Sequence, residues 1–246
     1  EFISAREFIS NEKRWCLWLV DASPKELKSM PLVIERLEKV KKMRLESNKI
    51  ATQKWADYPS LFTENRQPLS DYILVPSHSS ENRKYIPIGF LTKENILNNS
   101  CFAIPNASLY LFGILTSEMH MTWVKYTCGR LKSDFRYSNT IVYNNYPFPQ
   151  EVSDKQKERV EAAAQAVLDA RAKYPDSSLA DLYDPLAMPH DLVKAHKELD
   201  KAVDLCYRPQ AFAGERSRIE FLFDLYEKYT ANLFTPIKEK KKQAKK

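Results

Sequence analysis

Asn144-Asn145-Tyr146-Pro147-Phe148-Pro149 divides this sequence into two parts built on different rules. Proline has no amide donor and pushes the residue before it toward an extended conformation, so two prolines one residue apart let neither a helix nor a paired strand run through. Downstream of this break, apolar residues recur at helical spacing. Ser153-Asp154-Lys155-Gln156 is a capping box, and Val160, Ala163, Ala164, Val167 and Leu168 follow on one face. A second helix opens at Pro189 and runs through Leu192, Ala195, Leu199, Val203 and Cys206; a third follows Gly214, with Ile219, Leu222, Tyr226 and Tyr229 near helical spacing. Residues 150–236 are therefore expected to form an all-helical domain, and 237–246 a disordered lysine-rich tail.

Upstream, residues 1–149 mix strands and helices, which makes the fold class α+β. Arg14-Trp15-Cys16-Leu17-Trp18-Leu19-Val20 is bulky and β-favouring and reads as a strand. Ser23-Pro24-Lys25-Glu26 combines an N-cap, a proline at the first helical position and a glutamate at the third, so a helix starts there and restarts at Pro31. Tyr72 to Val75, Tyr85 to Phe90 and Cys101 to Ile104 are strand candidates. Leu109 to Cys128 reads as one long helix stopped by Gly129, Arg130 to Asn139 as a polar turn, and Thr140-Ile141-Val142-Tyr143 as a returning strand. Trp15, Trp18 and Trp123 lie in apolar segments and are expected in the core.

Composition is that of a soluble globular protein, with 43% hydrophobic and 28% charged residues. No apolar run reaches the roughly 18 residues of a membrane span, and the first residues lack signal-peptide order, so no membrane association and a cytoplasmic location are expected. Cys16, Cys101, Cys128 and Cys206 are scattered, which encodes neither a zinc site nor a redox pair. The net charge of +6 is mostly local: six lysines and one glutamate between Lys238 and Lys246 leave +1 for everything else. Distribution is more telling, since Lys25 to Lys54 holds nine basic and four acidic residues, whereas Glu151 to Asp204 holds twelve acidic and eight basic ones. Such polarity suits a molecule that turns one part toward phosphate.

Catalytic machinery is not legible. The four glycines, at 89, 113, 129 and 214, form no glycine-rich turn of the kind that admits a nucleotide-like cofactor. Asp21 with Glu26-Leu27-Lys28 has the letters of a metal-dependent nuclease, but the capping box places them at an exposed helix start. His78, His120, His190 and His196 have no ligand or triad spacing and read as surface or core histidines. No catalytic residue and no metal ligand is assigned.

Several segments together resemble the MmeI-like (Type IIL, a branch of Type IIG) restriction-modification DNA methyltransferases. They are Glu12 to Leu19, Arg83 to Phe90, Phe112 to Ser117, Met119 to Trp123, Gly129 to Ser133, Arg136 to Ser138, Ile141 to Pro149 and Asp181 to Pro189. The resemblance implies that residues 1–149 are a target recognition domain and 150–236 a C-terminal helical domain of a bacterial enzyme. It also implies an adenine-N6 methyltransferase domain elsewhere in the parent chain, with or without an endonuclease. S-adenosylmethionine and any Mg²⁺ would belong to that other part, as would an Asn-Pro-Pro-Tyr type motif, for which Asn145-Tyr146-Pro147-Phe148 has the wrong order. The implied partners are double-stranded DNA, read in the major groove, and the methyltransferase domain itself.

The resemblance gives the segment after Gly129 a role in DNA reading. In an extended stretch Arg130, Lys132, Asp134 and Arg136 would share one face. Lysine donates to guanine O6 or N7 and aspartate accepts from cytosine N4, so Lys132 and Asp134 would read one G·C pair. Arg136 joins them as a base-reading candidate and can also anchor a phosphate. Arg130, Lys125, Arg83 and Lys84 are the phosphate-contact candidates, and the Asn98-Asn99-Ser100 turn is a further base contact. Two other readings stay open. Lys132 and Asp134 could be a solvated ion pair on a loop, and the whole chain a non-specific nucleic-acid-binding or structural interaction domain.

Overall fold

A computed structural model describes residues 1–231. The lysine-rich run and the tail expected at 237–246 lie outside the described residues. Phe2–Ile3 (β1) and Ala5–Ser10 (α1) open the chain, followed by helices Pro24–Lys28 (α2), Pro31–Leu45 (α3) and Ile50–Gln53 (α4). Next come the strands Tyr72–Pro76 (β2), His78–Ser79 (β3), Gly89–Leu91 (β4), Ile96–Leu97 (β5) and Cys101–Pro105 (β6). Helices Leu109–Leu115 (α5) and Glu118–Thr127 (α6) precede strands Gly129–Leu131 (β7) and Asp134–Arg136 (β8). After a π-helical turn at Asn139–Tyr143 the rest is helical: Asp154–Ala172 (α7), Leu179–Leu182 (α8), His190–Tyr207 (α9) and Glu215–Thr230 (α10).

The helix starts written into the sequence form as expected. Ser23 Oγ accepts the Glu26 amide while the Glu26 carboxylate takes the Ser23 amide at 2.7 Å, and Ser153 and Gln156 do the same at α7. The repeated Glu-Phe-Ile-Ser takes two forms. Phe2-Ile3 is β1, whereas Phe8-Ile9 falls in α1, which Ser4 and Glu7 cap, so the capping box rather than the tetrapeptide decides.

Sheet order is β4-β2-β6 in one three-stranded antiparallel sheet and β3-β8-β7 in another, with a short parallel β1-β5 pair. One continuous apolar core joins the two parts of the sequence: Ile73 and Val75 of β2 and Phe112 and Ile114 of α5 belong to the same cluster as Val160, Leu199 and Leu222. Gly113 makes the closest approach across it. A Cβ there would lie 2.7 Å from Val160 Cγ1, so α5 can lie against α7 only without a side chain at this point. The Asn144 to Pro149 break is packed into this core rather than left as a free linker. Tyr146 is buried, its hydroxyl accepts from Tyr207 at 2.7 Å, and the Phe148 carbonyl accepts from Tyr229 at 3.0 Å.

Five sequence expectations are corrected. Arg14 to Val20 forms no strand, because no neighbouring strand pairs with it, and Trp15 stands 71% exposed. Trp18 is half-buried, and of the three tryptophans only Trp123 enters the core. The long helix from Leu109 breaks at Ser117, whose hydroxyl caps a new helix by accepting the His120 amide. Of the Tyr85 to Phe90 candidate only the end is strand, in β4. Thr140 to Tyr143 winds into the π-helical turn instead of returning as a strand, with Ser138 accepting the Ile141 amide at its start. No helix among the described residues is long and apolar enough to cross a membrane.

Candidate nucleic-acid interface

The polar stretch after Gly129 folds into a hairpin. Gly129 pairs with Arg136, Arg130 with Phe135 and Leu131 with Asp134, leaving Lys132-Ser133 as a two-residue turn. Lys132 takes φ 56°, in the left-handed region that non-glycine residues seldom occupy. Strand β8 is pinned to the body by alternate side chains. Phe135 and Tyr137 are buried, and the Tyr137 hydroxyl lies 3.1 Å from His120 Nε2, while Asp134 and Arg136, which alternate with them, face solvent.

This turn changes which side chains share a face. Paired residues in an antiparallel ladder lie on the same side, so Leu131, Asp134 and Arg136 share the outer face with Gly129, and Arg130 lies on the other with Phe135. The common face expected for Arg130, Lys132, Asp134 and Arg136 is thus broken, because the chain reverses between the first pair and the second. Arg130 instead lies over the Phe135 ring, 4.1 Å from its centroid, and donates to the Ser133 carbonyl at 2.9 Å. It braces the hairpin from beneath.

Lys132, Asp134 and Arg136 remain exposed. No ion pair joins Lys132 to Asp134, and neither Lys132 nor Arg136 makes one with any other group among the described residues. Asp134 accepts the Glu81 amide at 3.2 Å, which ties the hairpin to the loop after β3. That loop carries Arg83. Burial pulls the Arg83 pKa below the ordinary arginine range, with the carboxylates of Asp134 and Asp184 pulling the other way. Arg83 lines a cleft of about 430 Å³ with Asn82, Tyr183, Asp184 and Leu186.

The other cations are committed inside the molecule. Lys125 meets Glu215 at 2.5 Å, and Lys84 lies 3.7 Å from Glu118, whose carboxylate also faces Arg218 at 3.7 Å. Arg218 in turn holds Asp204 at 2.7 Å. Lys125–Glu215 and Glu118–Arg218 link the helices before and after the Asn144 to Pro149 break. The Asn98-Asn99-Ser100 turn is likewise used locally: Asn98 accepts the Ser100 amide at 3.0 Å, and Ser100 Oγ accepts the Ala5 amide at 3.1 Å. His78 was legible only as a lone histidine. It pairs with Arg136 across β3 and β8, a contact 58 positions apart that no local pattern announces.

Among the described residues no group of three or more His, Cys, Asp or Glu side chains could hold a metal ion. Of the glycines, Gly113 lies against α7 and Gly129 begins the hairpin.

Two family models match the chain, "MmeI, target recognition domain" over residues 1–150 and "MmeI, C-terminal domain" over residues 152–234. DNA methyltransferase A of Bacillus subtilis (strain 168) is 43% identical over 230 residues, which is 94% of this chain and 26% of that protein. A solved structure of the Type IIL restriction-modification enzyme MmeI in complex with DNA matches with a TM-score of 0.90 and 46% identity. It covers 94% of this chain and 31% of that one. The chain therefore spans about a quarter to a third of the length of these relatives.

Proposed function

The chain belongs to the MmeI family of restriction-modification enzymes, and from that premise we propose that it reads the DNA sequence for an adenine-N6 methyltransferase. Its part is recognition of duplex DNA through the major groove. S-adenosylmethionine chemistry, and any Mg²⁺-dependent cleavage, would reside in the length of the relatives that lies outside the matched region. Residues 1–149 act as the recognition domain and 150–236 as a helical support packed against it, in the cytoplasm of a bacterial cell.

One observation carries this reading: Lys132, in the turn of an exposed hairpin, and Asp134, at the start of a strand whose inner side chain is buried, are not paired with each other. A base-reading group has to be held by its scaffold while its polar atoms stay free for the partner. Lys132 offers donors suited to guanine O6 or N7, and Asp134 an acceptor suited to cytosine N4. Arg136, two residues along the same outer face, supplies a further base or phosphate contact. Arg130 serves the reading as a brace, Lys125 and Lys84 reach phosphate only by leaving carboxylate partners, and Arg83 is a half-buried candidate beside the hairpin.

Exchange of the pair in the full-length enzyme, Lys132→Glu with Asp134→Arg, followed by mapping of methylated sites, tests it. The expected result is a change of base pair at one position of the recognition sequence, with the original site disfavoured by about 1–3 kcal/mol. An unchanged recognition sequence overturns the assignment. A non-specific binder or a structural domain would show no loss across duplexes with single-base changes.

A further inference from the structure

We propose that His78 reads DNA beside Arg136, its Nε2 accepting a hydrogen bond from the exocyclic amino group of a base in the major groove, adenine N6 or cytosine N4. This deepens the reading of the region as a DNA recognition domain and rests on it. Strand β3 belongs to the sheet that carries the hairpin, and His78 pairs directly with Arg136 of β8, which pairs in turn with Gly129 of β7. Paired residues of an antiparallel ladder lie on one side of the sheet, with Cβ atoms about 4.5–5.5 Å apart. His78, Arg136 and Gly129 therefore form one row on the outer face. The next row, Ser79 and Phe135, is buried on the inner face.

The ring is not free to choose its hydrogen-bonding role. Ser77 Oγ lies 2.6 Å from the Ser100 carbonyl, which can only accept, so the serine proton points there. The same oxygen lies 2.9 Å from His78 Nδ1 and has only a lone pair left to offer it. Nδ1 then carries the ring hydrogen and donates it to Ser77, and in a neutral imidazole this leaves Nε2 as an acceptor. Among the described residues no hydrogen bond reaches Nε2, and the ring is half-buried. Phosphate oxygens are themselves acceptors and do not suit this nitrogen. The donors that the major groove presents are the amino groups of adenine and cytosine, so an acceptor here selects bases that the donors of Lys132 and Arg136 do not.

The scaffold holds His78 from both sides. The Ser77 amide and hydroxyl both donate to the Ser100 carbonyl, at 3.0 and 2.6 Å, which fastens the start of β3 to the Asn98-Asn99-Ser100 turn. On the other side the Tyr137 amide donates to the Ser77 carbonyl at 2.8 Å and extends the pairing with β8 by one position. A base-reading group needs this combination of a fixed ring and one unmatched polar atom. His78 is one strand over and two residues along from Asp134, a separation of about 8 Å in a sheet. That is more than twice the rise of about 3.4 Å between base pairs, so His78 meets a different base pair from the one assigned to Lys132 and Asp134.

Binding of the full-length enzyme to its mapped site, with amino-less bases placed one position at a time, tests the assignment. Unsubstituted purine replaces adenine, and a pyrimidinone without the amino group replaces cytosine. The enzyme is expected to lose about tenfold in affinity at one such position, outside the base pair that the Lys132 and Asp134 exchange alters, and the effective analogue identifies the base as adenine or cytosine. His78→Ala should bind the natural duplex about tenfold more weakly and lose nothing further at that position. His78→Phe keeps the ring without its nitrogens and should behave the same, while discrimination retained at the other positions reports an intact fold. Variants that lose as much as the original enzyme at every analogue overturn the proposal. So does a uniform loss on all duplexes with a smaller salt dependence, which makes His78 a phosphate contact. A change confined to the base pair of Lys132 and Asp134 overturns it too, by making His78 a support for that pair. The exchange and the His78 variants are read at separate positions, so each can fail without the other.

Discussion

Trp15-Cys16-Leu17-Trp18-Leu19 and Tyr72-Ile73-Leu74-Val75 look alike in composition, and the structure treats them in opposite ways. Every residue of the second is buried as the central strand of its sheet, while in the first Trp15 and Leu17 are exposed along a groove. The same contrast separates whole regions. The main core is drawn from residues 73–222, across both matched units, whereas residues 11–71 contribute nothing to it. Apolar sequence therefore marks burial without saying in which interface. Where no partner strand or helix comes from within the described residues, the apolar side chains line an open channel.

The largest expected effect breaks the core side of this comparison. Phe112→Ala removes a fully buried ring that packs 5.3 Å from Phe90 and beneath Arg171, and should cost about 3–5 kcal/mol. Trp15→Ala removes an even larger side chain from an exposed position and should change the unfolding free energy by less than about 0.5 kcal/mol. Chemical denaturation of the two variants measures both. Comparable losses would mean that the groove segment unfolds with the core and that the two regions are one.

Acid sharpens the same comparison, because the titrating buried groups lie on the core side. Burial holds His120 down to about 4 from its usual 6.5, against the opposing hydrogen bond to the Leu115 carbonyl. A histidine neutral in the fold but protonated in the unfolded chain gives stability that is full above 6.5 and is lost as pH falls toward 4. His196, stacked on Tyr85 and also pushed down by burial, acts in the same direction. Asp200 acts in reverse. Burial raises its carboxyl to about 6 even though it accepts from the Tyr85 hydroxyl and the Glu118 amide, so its contribution is present below 3.8 and lost as pH rises through 6. His120 and Asp200 are each worth on the order of 3 kcal/mol and partly cancel between pH 4 and 6.5. Asp200→Asn should therefore steepen the fall in thermal midpoint between pH 7 and 4.5, and His120→Gln should flatten it. Identical slopes in all three proteins would contradict the assignment.

These outcomes also show what the sequence could and could not carry. Helix starts were legible because a capping box is a contact over three residues, and Ser23, Pro31 and Ser153 all sit where local chemistry requires. Strand pairing is not local, so Arg14 to Val20 had every β-favouring residue and no partner. The break at Ser117 was hidden because a serine inside an apolar run looks like a tolerated helical residue until its hydroxyl is seen capping the next turn. The candidate site was half legible. Its residue types were right for bases and phosphates, but Lys132-Ser133 is not one of the turn pairs that announce a hairpin, and reversing the chain there moved Arg130 to the opposite face. Ion pairing was illegible: Lys84 and Lys125 read as free cations, and their carboxylates come from 34 and 90 positions away.

An expected effect confined to one region isolates the segment between residues 11 and 71 itself. Arg44 is buried on α3 without a carboxylate, and its guanidinium donates to the carbonyls of Trp55, Tyr58 and Leu61 at 2.8, 2.8 and 2.7 Å. One side chain thereby fixes the return path from α3 to Phe62, in a region with no apolar core to do so. Arg44→Ala leaves three carbonyls seeking water, a local cost of about 1–3 kcal/mol. Since few buried apolar contacts couple this segment to the core, the main unfolding transition should move by less than about 1 kcal/mol, while amide hydrogen exchange accelerates between residues 44 and 62. Arg44→Lys should not restore protection, because an ammonium lacks the planar fork that reaches carbonyls spread over seven residues. A drop in the main transition as large as that of Phe112→Ala would show instead that the clasp supports the core, and that residues 11–71 are part of the folding unit they adjoin.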